Sequence, residues 1–175
     1  MNLQPGINEK DQKQGNEQAP LTLVEYGDYQ CPYCGEAYPI VKELQRHFGD
    51  KLLFVFRNFP LTEIHPQAYA SACVAEASGL QNKFWPVHDL IFENQKRLWP
   101  QQLLSYASSA GANIEKLGAD MESEQILGKI DADFESGVRS GVNGTPTFFI
   151  NGQRHGGKYA YEILKAALEE QLQEQ

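Results

Sequence analysis

Gly27-Asp28-Tyr29-Gln30-Cys31-Pro32-Tyr33-Cys34-Gly35 sets two cysteines three positions apart between a run with strand character and one with helical spacing. Leu21 to Tyr26, ahead of it, is rich in β-branched and aromatic residues, and Glu36 to Phe48, behind it, carries apolar residues at helical intervals. The cysteines therefore open a helix. Pro32 suits the first helical position, where a missing N–H costs nothing and its fixed φ is already helical. Cys31 then falls at the N-cap and Cys34 one turn further on, so both sulfurs share a face and a disulfide between them is geometrically reasonable.

Position also sets reactivity. Unpaired N–H groups and the positive end of the helix dipole stabilise a thiolate at the N-cap, which makes Cys31 the expected nucleophile. Cys34, deeper in the first turn, is the expected resolving thiol that attacks a mixed disulfide formed at Cys31. A structural zinc would need two further ligands. The remaining cysteine, Cys73, stands among Ala72, Val74 and Ala75 with no second CxxC or HxxxH nearby, so it reads as a small buried hydrophobe and no metal is expected.

The chain has 175 residues, 41% hydrophobic and 11% aromatic, enough for one domain with a packed core. Its net charge of −8 argues against nucleic acid or an anionic membrane as partner, since both call for a basic face. No apolar run reaches the ~20 residues of a membrane-spanning helix. Residues 1–18 are polar and read as a mobile arm whose last residues lead into an edge strand. They lack the basic start and apolar middle of a signal peptide, which points to the cytoplasm unless a leader has been removed.

Further along, Val41, Leu44 and Phe48 mark the inner face of the first helix, and Lys51 to Arg57 reads as a buried strand, giving a right-handed βαβ unit. From Pro66 to about Gly141 the signal is helical: Gln67 to Ser78, Lys83 to Leu98, Pro100 to Gly111, and a stretch with Ile126, Ile130, Phe134 and Val138 as an apolar stripe. Thr147 to Ile150 and Gln153 to His155 flank Asn151-Gly152 as a hairpin, and Tyr159 to Leu172 closes the chain as a helix with Leu164, Leu168 and Leu172 on one side. His65 is placed at a helix start and His88 inside the helical region. His47 and His155 are expected at the surface, and Trp85 and Trp99 in the core.

Five features together resemble the DsbA-like thiol-disulfide oxidoreductases of the thioredoxin superfamily: the CxxC between strand and helix; Glu25 six residues before Cys31; Pro39 five after Cys34; the helical stretch after Asn58-Phe59-Pro60; and Gly144-Thr145-Pro146-Thr147 before the last strands. The resemblance runs from about Ala19 to the C-terminus. It implies an α/β thioredoxin fold in residues 19–175, a βαβ unit plus a C-terminal ββα, with an all-helical insertion at about 64–141. It also implies that Pro146 is a cis proline facing the sulfurs, leaving the Thr145 backbone free to pair with an extended substrate. The Thr145 hydroxyl is a candidate neighbour of Cys31. Glu25 would lie under the active site with a raised pKa and exchange a proton with the resolving thiol. Substrate contact is expected from Pro32, Tyr33, Thr145 and Pro146.

Pro32-Tyr33 departs from the Pro-His usual between DsbA cysteines, and the missing imidazolium predicts a less stabilised Cys31 thiolate. The expected activity is thiol-disulfide exchange with protein or small-thiol substrates, with no cofactor beyond the Cys31–Cys34 pair. Its direction stays open. A glutathione-dependent reductase and a non-catalytic binding module are the alternatives.

Overall fold

The computed structural model describes residues 1–175. Strand β1 (Gln12–Gly15) leads to β2 (Leu21–Gly27), helix α1 (Pro32–Phe48), a short 3-10 turn and β3 (Leu52–Asn58). Five helices follow: α2 (Ala68–Gly79), α3 (Phe84–Glu93), α4 (Pro100–Ser109), α5 (Ile114–Asp120) and α6 (Glu124–Arg139). The chain then returns through β4 (Thr147–Ile150) and β5 (Gln153–Arg154) to α7 (Tyr161–Gln173). This is the expected thioredoxin fold. The sheet order is β1-β3-β2-β4-β5, with β2 and β3 parallel and every other pairing antiparallel.

Strands β2 and β3 lie at the centre and are buried along nearly their whole length, as their continuous apolar sequence requires. One face of the sheet meets α1, α7 and the helical region in a core that includes Leu23, Phe54, Phe56, Leu44 and Leu164. The other face is a smaller cluster of Val24, Tyr26, Val55, Phe59 and Phe149, closed in part by Leu3. Parallel β2 and β3 end together, Gly27 opposite Asn58, and this common end carries the CxxC.

Residues 1–18 lie against the rest of the chain, and their later part supplies the expected edge strand, β1. Leu3 donates its N–H to the Gly152 carbonyl at 2.8 Å, the Met1 carbonyl accepts from the Arg154 N–H at 2.9 Å, and Gln12–Gly15 pairs with β3. Arg57, at 1% exposure, anchors the segment: its guanidinium bonds both Asp11 carboxylate oxygens at 2.8 and 2.9 Å and the Pro5 and Gly6 carbonyls. A buried cation of this kind needs a full set of acceptors, and the polar segment supplies them.

Several helical expectations shift. The second helix of the region stops at Glu93, not Leu98, because the Asn94 side-chain amide turns back onto the Leu90 carbonyl at 2.8 Å and a tight turn follows. An additional helix, α5, begins where the Asn113 side chain caps the Lys116 N–H. On α6 the inner face runs through Ile126, Ile130 and Asp133 to Ser136 and Gly137, while Val138 is 56% exposed. Successive four-residue steps drift around a helix of 3.6 residues per turn, so a stripe built on that spacing leaves the core after two or three steps. Asp133 is tolerated inside because it accepts from the Asn58 backbone and side-chain N–H groups and pairs with Lys129 at 2.7 Å. Trp99 is exposed rather than core; it forms the N-cap of α4, where the Gln102 side chain accepts its N–H. Trp85 does pack against the core, and its indole N–H donates to the Lys13 carbonyl at 2.8 Å. Cys73 is buried as a thiol, and burial pushes its pKa up to about 11.

Candidate active site

Cys31 is the N-cap of α1 in extended backbone, φ −68° and ψ 122°, and Pro32 is the first helical residue. The loop that presents it is built around Asp28, which lies wholly inside the protein. Its Oδ1 accepts the N–H groups of Gln30 at 2.8 Å and Cys31 at 3.1 Å, and its Oδ2 accepts the Leu61 N–H and faces His65 Nδ1, both at 2.8 Å. One carboxylate thus ties the Cys31 loop to the segment after β3. His65 accordingly sits ahead of α2, engaged with Asp28, rather than at the helix start. Asp28 also contributes its backbone N–H to Cys34 Sγ at 3.4 Å.

The two thiols differ sharply. The Cys31 pKa is pulled down to about 5, first by the Cys34 side chain donating to its sulfur, with burial opposing and the N–H groups of Cys34 and Tyr33 assisting. Cys34 has no exposed surface, and burial holds its pKa well above the ordinary thiol value, reinforced by Cys31 and by the charge of Glu25. The environment thus favours ionisation of Cys31 and disfavours that of Cys34. Without an imidazolium, the stabilisation of the Cys31 thiolate comes from the Cys34 side chain and from backbone N–H groups. Tyr33 itself is 60% exposed beside the nucleophile.

Glu25 lies on central β2, opposite Phe56 on one side and Phe148 on the other, at 3% exposure. Its Oε2 has no hydrogen-bond partner. Burial, with the Cys31 charge second, raises its pKa to about 8. Gly27 makes the space: a Cβ there would lie 2.5 Å from the Phe56 ring and 2.8 Å from Glu25 Oε2. The charge of Glu25 acts on Cys34, and that of Cys31 acts on Glu25, so the carboxyl is electrostatically linked to both sulfurs.

The hairpin closes the site from the far end of the chain. The Thr145–Pro146 peptide bond is cis, and the Thr145 carbonyl lies 3.6 Å from Cys31 Sγ, so the close neighbour is the backbone. The Thr145 side chain also favours the thiolate, although its buried Oγ1 makes no hydrogen bond of normal geometry. A cavity of about 130 Å³ adjoins Pro146, lined by Phe148, Arg154, His155 and Tyr159 among others. The structure brings Glu25, Cys31, Cys34, Thr145 and Pro146 into one site, with Pro32 and Tyr33 on its exposed rim. Sequence reasoning missed Asp28, whose signal was available: an aspartate three residues before an N-cap is a favoured Asx-turn position.

The site is thus a buried pair of cysteines at a helix N-terminus on a thioredoxin-like scaffold, with the Cys31 pKa drawn down and the Cys34 pKa pushed up. The chain belongs to the thioredoxin family, whose model matches residues 8–170, and it has the DsbA-like architecture. Among solved structures it is similar to oxidised BdbD from Bacillus subtilis, with a TM-score of 0.87 at 25% identity over 99% of this chain and 98% of that one. A thioredoxin-like oxidoreductase from Silicibacter pomeroyi DSS-3 superimposes with a TM-score of 0.86 at 25% identity, covering 95% and 94% of the two chains. In sequence, the chain is 42% identical over 160 residues to a protein of Salinispora arenicola named Na(+)/H(+) antiporter NhaA 1, a match that takes in 91% of this chain and 24% of that protein. The chain thus spans about a quarter of the length of such curated relatives. No helix here is long and apolar enough to cross a membrane.

Proposed function

We propose that the protein is a thiol–disulfide oxidoreductase that passes its Cys31–Cys34 disulfide to protein dithiols. The observation that carries this reading is the opposed ionisation of the two cysteines, Cys31 near 5 and Cys34 well above 9. A thiolate stabilised only when the pair is reduced favours the reduced form and makes the disulfide an oxidant.

In the oxidised protein, a substrate thiolate attacks Cys31 Sγ; the S–S bond breaks, the electron pair leaves on Cys34, and Glu25 supplies the proton Cys34 takes up. The second substrate thiolate then attacks the substrate sulfur of the mixed disulfide, forming the substrate disulfide and expelling Cys31 as its stabilised thiolate. In reverse, Glu25 receives the Cys34 proton as that thiol resolves a mixed disulfide. Thr145 presents its backbone beside Cys31, where an extended substrate strand can pair, and the exposed Pro32 and Tyr33 with the half-buried Pro146 form the contact rim. Ion exchange is not proposed for these residues.

Equilibration of the dithiol against glutathione buffers tests the reading. The expected potential lies well above the roughly −270 mV of thioredoxin, towards the roughly −120 mV of DsbA itself. A value at or below that of thioredoxin would turn the enzyme into a reductase, and a pair that fails to cycle would leave only a binding module.

A further inference from the structure

Gln95 lies in the turn between α3 and α4, 64 positions from Cys31, and its side chain reaches into the active-site loop. Its Nε2 donates at 2.8 Å to the Tyr29 carbonyl and at 2.8 Å to the Cys31 carbonyl. Both partners can only accept, which assigns the orientation of the amide. The other end of the amide rests on Gly35: a Cβ added there would fall 2.0 Å from Gln95 Oε1, so only glycine permits the approach. The turn that carries Gln95 is itself pinned. Asn94 Nδ2 donates to the Leu90 carbonyl, the Arg97 N–H to the Asn94 carbonyl at 2.9 Å, and the Tyr106 hydroxyl to the Arg97 carbonyl at 2.7 Å.

We propose that Gln95 is a positioning residue for the Cys31 nucleophile, an inference that rests on the exchange reading above. Asp28 holds the N–H groups of Gln30 and Cys31. Gln95 holds the carbonyls of Tyr29 and Cys31, so the Tyr29–Gln30 peptide is gripped from both sides and Cys31 at both its N–H and its carbonyl. Between them they fix the backbone at Cys31, and so the direction in which Sγ projects towards the Tyr33 and Cys34 N–H groups that stabilise its thiolate. A side chain from the helical region thereby tunes a thiol on the thioredoxin-fold part of the protein; without it the Tyr29 carbonyl loses its donor, the Cys31 carbonyl keeps only the Gly35 N–H at 3.1 Å, and the Cys31 backbone gains freedom.

The test uses Gln95→Ala, Gln95→Met, which fills similar space without N–H donors, Gly35→Ala, whose methyl displaces the amide, and the Gly35→Ala/Gln95→Ala double variant. The pH dependence of Cys31 alkylation is measured in each reduced protein, alongside its melting temperature. The expected result is a higher alkylation midpoint in all three single variants, with roughly three- to tenfold slower alkylation near pH 5. The double variant should match Gln95→Ala alone, because both changes remove one contact. Unchanged midpoints in Gln95→Ala and Gln95→Met, whatever happens to the melting temperature, or additive effects in the double variant, would overturn the positioning role. An ordinary thiol midpoint in the wild-type protein would instead remove the exchange reading itself.

Discussion

Cys31 Sγ and the Thr145 carbonyl oxygen, 114 residues apart in the chain, lie 3.6 Å from each other. The nucleophile is therefore set against backbone that an approaching strand could pair with. Thr145 adds a side chain that favours the thiolate while its hydroxyl stays buried and unbonded. Thr145→Val should raise the Cys31 alkylation midpoint by up to about one pH unit, the worth of one modest hydrogen bond. The same variant should keep or slightly raise the melting temperature, since an unsatisfied polar group is removed. A lower melting temperature with an unmoved midpoint would show that the hydroxyl is structural.

Glu25 makes a pH-dependent prediction of definite sign. Its folded-state pKa, about 8, lies above the ordinary 4.5, so the folded protein holds this proton more tightly than the unfolded chain does. The stabilising contribution is complete below about pH 4.5, is lost as pH rises towards 8, and stays lost above it. The stability of Glu25→Gln relative to wild type, both reduced, should therefore grow by as much as about 4 kcal/mol between pH 4.5 and 9. Denaturant unfolding at both pH values checks this, and a flat difference would mean the carboxyl titrates normally. Resolution of mixed disulfides should slow in the same variant.

The two cysteines should separate in a trapping experiment. Cys34→Ser leaves the nucleophile but removes the resolving thiol, so mixed disulfides with protein substrates should accumulate on Cys31. Cys31→Ser should trap none, because Cys34 is buried and protonated. Non-reducing electrophoresis reads the result, and trapping by Cys31→Ser alone would reverse the assigned roles.

Asp11→Ala leaves Arg57 buried and without its carboxylate partner, with 2.8 and 2.9 Å bonds lost. Breaking a buried pair in this way costs roughly 3–5 kcal/mol. Equilibrium denaturation should show a loss of that order, while the Cys31 alkylation midpoint should stay where it is. A loss below about 1 kcal/mol would place the pair among surface-like ion pairs.

The parts of the site that the sequence made legible are those whose chemistry is local. A CxxC with proline after its first cysteine marks its own N-cap, and Asn151-Gly152, with φ of 47° and 81°, marks its hairpin, whereas the burial of Glu25 came only from the family resemblance, the alternation of its strand leaving it open. The illegible parts are hydrogen bonds between distant residues. Asp28 reaches Leu61 and His65, Arg57 reaches back to Asp11, and Gln95 reaches Tyr29 and Cys31, all without periodicity or fixed spacing. The same holds for residues 1–18, whose polarity suggested an arm. The Asp11 carboxylate and the Pro5 and Gly6 carbonyls of that segment are engaged by a buried arginine.

The central claim is that Cys31 is a thiolate at neutral pH while Cys34 is not. Residue-resolved alkylation of the reduced protein from pH 3 to 10, read by mass spectrometry, tests it directly. Cys31 should react with a midpoint near pH 5, and Cys34 should stay unreactive well beyond pH 9. A Cys31 midpoint near the ~8.5 of a free cysteine, or equal rates at the two positions, would contradict the account.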